Sequence, residues 1–193
     1  MRYAEEYLEN FKKLIDYMYD KRINTIEEFA IFLKRMKEKG GRLFLIGVGG
    51  GAANASHAVN DFRKICNIEA YTPTDNVAEL TARTNDDGWG RVFEDWLRVS
   101  KLNDSDVVMI LSVGGGTPEA SFNIARAVQY ARQKHATILG LLGRKGGWTH
   151  MKGNLNIVLP ERLKLDDKFM TPFTESLQSV VLHAIVNHPD LKE

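Results

Sequence analysis

Twice in this chain a short, wholly apolar run ends directly in a cluster of glycines. Leu43-Phe-Leu-Ile-Gly-Val48 leads into Gly49-Gly-Gly-Ala-Ala-Asn54, and Val107-Val-Met-Ile-Leu-Ser112 leads into Val113-Gly-Gly-Gly-Thr117. An apolar run of that length bounded by glycine reads as a strand buried on both faces, the kind that occurs in parallel sheets covered by helices. Ala136 to Leu142 repeats the pattern and closes on Gly143-Arg-Lys-Gly-Gly147, and Asn156 to Leu159 is a shorter fourth run. Ile68 to Thr72 is a candidate fifth strand. Helical spacing lies between these runs, from Thr117 to about Lys134 and again over Leu177 to Val186. Strands alternating with helices give right-handed βαβ units, so the expected fold class is α/β: a three-layer parallel sheet flanked by helices. The expectation is a single domain over residues 1–193.

Two helices are expected ahead of the sheet. Tyr7, Leu8, Phe11, Leu14, Ile15 and Met18 share one helical face. A capping-box pattern at Thr25 and Glu28 opens the second helix, which continues to Met36 and stops at Gly40-Gly41. The sheet does not need these helices to cover it, so residues 1–40 are expected to bury their apolar face against a second copy of the chain. The broken basic run Lys34 to Lys39 reads as a solvated helix face, and Trp89, Phe93 and Trp96 as core residues on one helical face.

Composition narrows the function. A net charge of +1 gives no field to attract nucleic acid or an anionic membrane. The single cysteine, Cys66, excludes an internal disulfide framework and points to a reducing compartment; beside Ile65 and Ile68 it reads as buried and inert. Residues 1–20 carry acids throughout and lack a signal-peptide core, and no apolar run reaches the ~20 residues needed to span a bilayer. A cytoplasmic protein is expected.

The glycine loops are the first functional signal. In an open α/β sheet, ligands bind outside the carboxyl ends of the strands, and glycine-rich turns into helix N-termini suit anions. Gly47, Gly49 and Ala52 also satisfy a dinucleotide-type spacing, but no second strand ending in an acid follows about twenty residues on. No Gly-Lys-Ser/Thr follows the first loop, which excludes a P-loop. The second signal is a set of proton-transfer groups. His57 and Asp61 are four residues apart on the helix after the first loop, and Glu175 and His183 are eight apart near the C-terminus. Each pair lies close to one helical face. Two histidines and two carboxylates suit acid–base transfer between adjacent carbons, or a divalent metal site such as Zn²⁺.

The order of Gly47-Val-Gly-Gly50, His57-Ala-Val-Asn-Asp61, Asn85-Asp-Asp-Gly88, the Ser112 loop, Gly143-Arg-Lys-Gly-Gly147 and the helix bearing His183 resembles the SIS phosphosugar-binding domain. Within it, the chain resembles the phosphoheptose isomerase family over nearly its whole length. The resemblance implies a flavodoxin-like SIS fold, a sugar-phosphate substrate, a homotetramer, and isomerisation of sedoheptulose 7-phosphate to a manno-heptose 7-phosphate for surface heptose synthesis. It further implies a Zn²⁺ or other divalent ion held by His57, Asp61, Glu175 and His183, with Asp61 and His183 as the acid–base pair. Substrate contacts are implied for Gly49, Gly50, Gly51, Asn54, Asp75, Asn85, Asp86, Ser112, Gly114, Gly115, Gly116, Thr117 and Glu175. The chain departs from the family pattern at four places. Asp61 stands for a glutamate, one methylene shorter; Glu175 stands for a glutamine; Gly51 stands for a serine; and of the second loop's hydroxyls only Ser112 and Thr117 remain. A non-catalytic SIS module that binds a sugar phosphate or a protein partner is the alternative expectation.

Overall fold

A computed structural model of the chain describes residues 2–159 and 165–192. The apolar runs form five parallel strands: β1 (Leu43–Gly47), β2 (Ala70–Tyr71), β3 (Val107–Ser112), β4 (Thr137–Leu142) and β5 (Leu155–Val158). Their order across the sheet is β2-β1-β3-β4-β5. The central strands are buried along almost their full length, as continuous apolar runs require. The chain turns outward in opposite directions from β1, so the switch in strand order lies between β1 and β3. A ligand crevice is expected at the carboxyl ends of those two strands.

Helices cover both faces. On one side α1 (Tyr3–Glu38), α2 (Gly50–Cys66) and α7 (Asp167–Val186) enclose a core that includes Leu45, Met109, Phe62, Phe173 and Val181. On the other, α4 (Val92–Val99) and α5 (Phe122–Gln133) enclose Phe44, Ile46, Ile110, Phe93 and Val128. Two further helices, α3 (Val77–Asp87) and α6 (Trp148–Lys152), connect strands, and a 3₁₀ turn (Pro189–Leu191) follows α7. This is the three-layer parallel architecture expected.

The N-terminal region differs from expectation. In place of two helices there is one of 36 residues, and Thr25 lies in its interior. The buried positions Leu14, Met18, Phe29, Ala30, Leu33 and Met36 explain the difference. Phe29 follows Met18 by eleven residues, close to three turns, so the apolar stripe keeps its phase through the middle. No Gly or Pro interrupts it, and Asn24 and Thr25 lower helix propensity only slightly. The basic run also differs from a purely solvated face. Lys34 Nζ lies 3.8 Å from Asp190, and Lys37 Nζ donates to the Leu191 carbonyl at 3.4 Å, so both hold the terminal 3₁₀ turn. Of the aromatic trio, Phe93 is fully buried and Trp96 packs at the margin of the core, but Trp89 precedes α4 and is exposed. Cys66 is buried at the end of α2, where its thiol donates to the Val186 carbonyl at 3.3 Å.

Candidate active site

Both glycine loops meet at the carboxyl edge of β1 and β3. Gly51 shows why the first must be glycine: a Cβ there would stand 2.5 Å from the Leu111 carbonyl oxygen, so α2 can enter this close to β3 only without a side chain. A serine at this position would require α2 to stand farther from β3. In the second loop Gly116 has φ +75°, and a Cβ would lie 2.7 Å from the Ala125 amide nitrogen. Between the loops is a cavity of about 150 Å³, lined by Gly51, Ser112, Gly114, Ser121, Glu175 and Gln178 among others.

Helix α5 begins at Phe122, five residues later than the sequence pattern predicts. Residues Thr117 to Ala120 close a turn on themselves: the Thr117 amide donates to the Ala120 carbonyl at 2.8 Å, and the Ala120 amide to Thr117 Oγ1 at 3.0 Å. The Thr117 hydroxyl oxygen is thus used inside the turn, and the cavity takes Ser121 as its hydroxyl instead. Ser112 Oγ accepts from the Gly115 amide at 3.0 Å, which holds the start of the loop in shape.

Helices α2 and α7 lie side by side in parallel register, and the polar groups of the site follow that register. At the first step the carboxylate of Glu175 rests against Gly50, where any Cβ would collide with it. At the next, Asn54 Nδ2 donates to the Glu175 carbonyl (2.9 Å) and to Gln178 Oε1 (3.1 Å), and its Oδ1 accepts from Ser179 Oγ (2.9 Å). Asn54 is therefore a clasp between the helices, its bonding capacity largely used. Gln178 is buried and also donates to the Leu141 carbonyl at 3.1 Å, which ties this interface to β4.

At the third step stand His57, Asp61 and His183. The two Nε2 atoms are 3.0 Å apart; Asp61 Oδ2 is 3.3 Å from that of His57 and 3.6 Å from that of His183. The rings meet edge to face, with an interplanar angle of 88°. Asp61 reaches both histidines despite the shorter side chain. Its own side chain is only 13% exposed, whereas those of His57 and His183 are 58% and 54% exposed, so the cluster is open on one side.

Those separations bear on a metal. With metal–ligand bonds of about 2.0–2.1 Å, the edge of a ZnN/O tetrahedron is about 3.3 Å. The three donor atoms form a triangle with that edge, and a two-imidazole, one-carboxylate set with one side open suits a catalytic Zn²⁺ or similar ion. Glu175 is not part of this triangle; its carboxylate lies in the cavity wall.

The remaining expected residues are more dispersed. Asp75 Oδ1 accepts from Ser56 Oγ at 2.6 Å, which holds it beside α2 next to His57. Asn85 and Asp86 lie on the exposed last turn of α3 and bond to each other at 2.8 Å; they neither line the cavity nor join the triangle. Gly49 and Gly50 form the turn into α2, and Gly115 and Gly116 support the wall to which Gly114 belongs. Two polar residues of the cavity, Ser121 and Gln178, are not among those the sequence pattern singles out. Ser121 directly precedes the periodic stretch Ile124, Ala127, Val128 and Ala131, which is a cap signal, and Gln178 is one turn beyond Glu175 on the same face.

The family model of the SIS domain matches residues 6–143, and the chain is a SIS-domain protein. A phosphoheptose isomerase of Syntrophotalea carbinolica is 28% identical over 187 residues, 93% of this chain and 88% of the relative. One from Pelobacter propionicus is 30% identical over 164 residues, covering 82% and 80%. The chain belongs to the phosphoheptose isomerase family. Its fold superposes on the solved phosphoheptose isomerase of Francisella tularensis with a TM-score of 0.83, at 19% identity and 97% coverage of both chains.

Proposed function

We propose that this chain is an aldose–ketose isomerase that interconverts sedoheptulose 7-phosphate and a manno-heptose 7-phosphate. The observation that carries the reading is the triangle of His57, Asp61 and His183 donor atoms, with sides of 3.0 to 3.6 Å, on the helix pair that also walls the glycine cavity.

The reaction moves one proton between two adjacent carbons and one between their oxygens, through an enediol. Asp61 takes the proton from C1 of the ketose and returns it to C2. His183 Nε2, where it carries no ion, exchanges the proton between the two oxygens, so each group ends in its starting state. His57 holds Asp61 Oδ2, and Asn60 Nδ2 holds Oδ1 at 3.0 Å, which fixes the carboxylate for transfer. A divalent ion such as Zn²⁺, held by His57, Asp61 and His183, would polarise the substrate carbonyl. The phosphate end of the sugar sits in the glycine cavity, where Ser112, Ser121 and the N-termini of α2 and α5 supply donors. One SIS unit over residues 1–193 acts as a cytoplasmic homotetramer, joined through the outer face of α1, where Leu8, Tyr19 and Ile23 are exposed. The product would serve surface heptose synthesis.

Two features favour a second reading, a SIS module that binds a sugar phosphate without turning it over: the cavity's few hydroxyls and its carboxylate. One experiment separates the two. Protein purified without chelator is assayed for bound metal and for turnover of sedoheptulose 7-phosphate, beside His183→Ala. About one divalent ion per subunit and measurable turnover, both lost in the variant, support the isomerase. Sugar-phosphate binding with no turnover after zinc addition overturns it in favour of the module.

A further inference from the structure

The carbonyls of the second glycine loop are turned toward the third loop and the start of α6. Val113 O accepts from the amides of Gly143 (3.0 Å) and Arg144 (2.8 Å), and Gly116 O from that of Trp148 (2.8 Å). Gly115 O accepts twice from one residue, Thr149: from its amide at 3.0 Å and from its hydroxyl at 2.8 Å. The Gly114 carbonyl packs against Gly147, where any Cβ would collide with its oxygen. The only side chain among these donors is that of Thr149, which is wholly buried. The others are backbone amides that any non-proline residue would supply.

A trans peptide holds its N–H opposite its C=O, so these carbonyls leave the following N–H groups on the far side of the loop. None of residues 143–149 lines the cavity, whereas Gly114 does. Two of the four N–H groups are used within the loop. That of Gly115 donates to Ser112 Oγ at 3.0 Å, and that of Thr117 to the Ala120 carbonyl at 2.8 Å. The amides of Gly114 and Gly116 have no acceptor among the described residues. Backbone N–H groups left over in a glycine loop suit an anion.

The Gly115–Gly116 peptide is the one that needs holding. Both residues have positive φ, +73° and +75°, and neither has a Cβ to restrict the plane between them. Thr149 grips one end of that plane, and the Gly116 N–H is its other end. We infer that Thr149 is a positioning residue for the phosphate: its hydroxyl fixes this peptide so that the Gly116 N–H, together with that of Gly114, is presented to the anion. Thr149 itself does not touch the ligand. Its γ-methyl lies against Gly140, so the side chain has a packing half and a hydrogen-bonding half that substitution can separate. The inference rests on the sugar-phosphate reading of the cavity.

The test uses inorganic sulfate, an unreactive tetrahedral dianion. Amide chemical shifts of Gly114 and Gly116 are followed during sulfate titration of the full chain in chelator, for the unsubstituted protein, Thr149→Val and Thr149→Ser. Saturable shifts at both amides are expected in the unsubstituted protein. Thr149→Val keeps the shape and loses the hydroxyl; it is expected to bind sulfate about fivefold more weakly, with the Gly116 amide displaced before any sulfate is added. Thr149→Ser keeps the hydroxyl and loses the methyl; it is expected to stay within about twofold of the unsubstituted protein. Full affinity in Thr149→Val, or equal weakening in both variants, makes the side chain a packing group and overturns the inference. No sulfate shift at either amide in the unsubstituted protein overturns the anion reading of the cavity, a separate failure. Should Thr149→Val lose its native amide spectrum, Thr149→Ala is compared with Thr149→Ser, a pair that differs only in the hydroxyl, and equal affinities there overturn the inference.

Discussion

The Nε2 atoms of His57 and His183 face each other at 3.0 Å across the interface of α2 and α7, and Asp61 Oδ2 completes a triangle with them. Two imidazoles this close each present a ring nitrogen to the same point. A bound cation would satisfy both at once.

Metal should therefore stabilise the native state. Adding zinc to chelator-treated protein is expected to raise the unfolding midpoint, because a ligand that binds only the native state stabilises by about 2.7 kcal/mol at a hundredfold excess over its Kd. His57→Ala and His183→Ala should each abolish the rise, as read by calorimetry. An equal rise in either variant would place the ion elsewhere.

Restoring the family's serine at position 51 should not restore phosphate contacts. A Cβ at Gly51 meets the Leu111 carbonyl oxygen at 2.5 Å, so Gly51→Ser must push α2 away from β3. The expected cost is about 1–3 kcal/mol of overpacking, measured by urea unfolding, with weaker binding of sugar phosphate. A stable, tighter-binding variant would show that the loop can open.

Far from the site, Arg42 and Asp106 join the starts of β1 and β3. Asp106 is 1% exposed and accepts from the Arg42 amide (2.9 Å), the Asn103 amide (3.0 Å) and the guanidinium (2.8 Å). The hydrogen bond to Asp106 raises the Arg42 pKa further above its ordinary value. Asp106→Ala leaves two buried amides without their acceptor and the guanidinium with only the Ser100 and Lys101 carbonyls, and should cost about 1–3 kcal/mol. Thermal unfolding measures this; a loss under 1 kcal/mol would mean that water replaces the carboxylate freely.

Burial pushes the Cys66 thiol up from its ordinary pKa. Because the native state holds this proton more tightly, the contribution to stability is complete below the ordinary thiol pKa of about 8.5 and is lost as pH rises beyond it. Native protein at pH 8 should react with a thiol reagent at least a hundredfold more slowly than urea-unfolded protein. Comparable rates would mean that the C-terminal turn opens readily.

How much was legible in the sequence follows from which forces act locally. The strands at Leu43, Val107 and Thr137 were readable because a buried parallel strand must be apolar throughout, and the glycine loops because close backbone approach leaves few alternatives. The histidine–carboxylate pairs were readable from helical spacing. The capping box at Thr25 misled, since a local hydrogen-bond pattern competes poorly with an apolar stripe that continues in phase from Met18 to Phe29. Thr117 and Ser121 were exchanged for a similar reason: a self-closed turn of four residues leaves no periodic trace. The role of Asn54 as a clasp, and the separation of Glu175 from the triangle, depend on how α2 and α7 register against each other. No single segment encodes that.

The same register has a consequence during synthesis. His57 and Asp61 lie in the first third of the chain, and their partner His183 arrives only after every strand of the sheet has been made. A nascent chain can build its glycine loops around β1 and β3, yet it has no complete triangle to capture a metal ion or to move a proton. Competence arrives in one step, when α7 docks against α2, and a truncated product lacking that helix would fold partway and remain chemically silent.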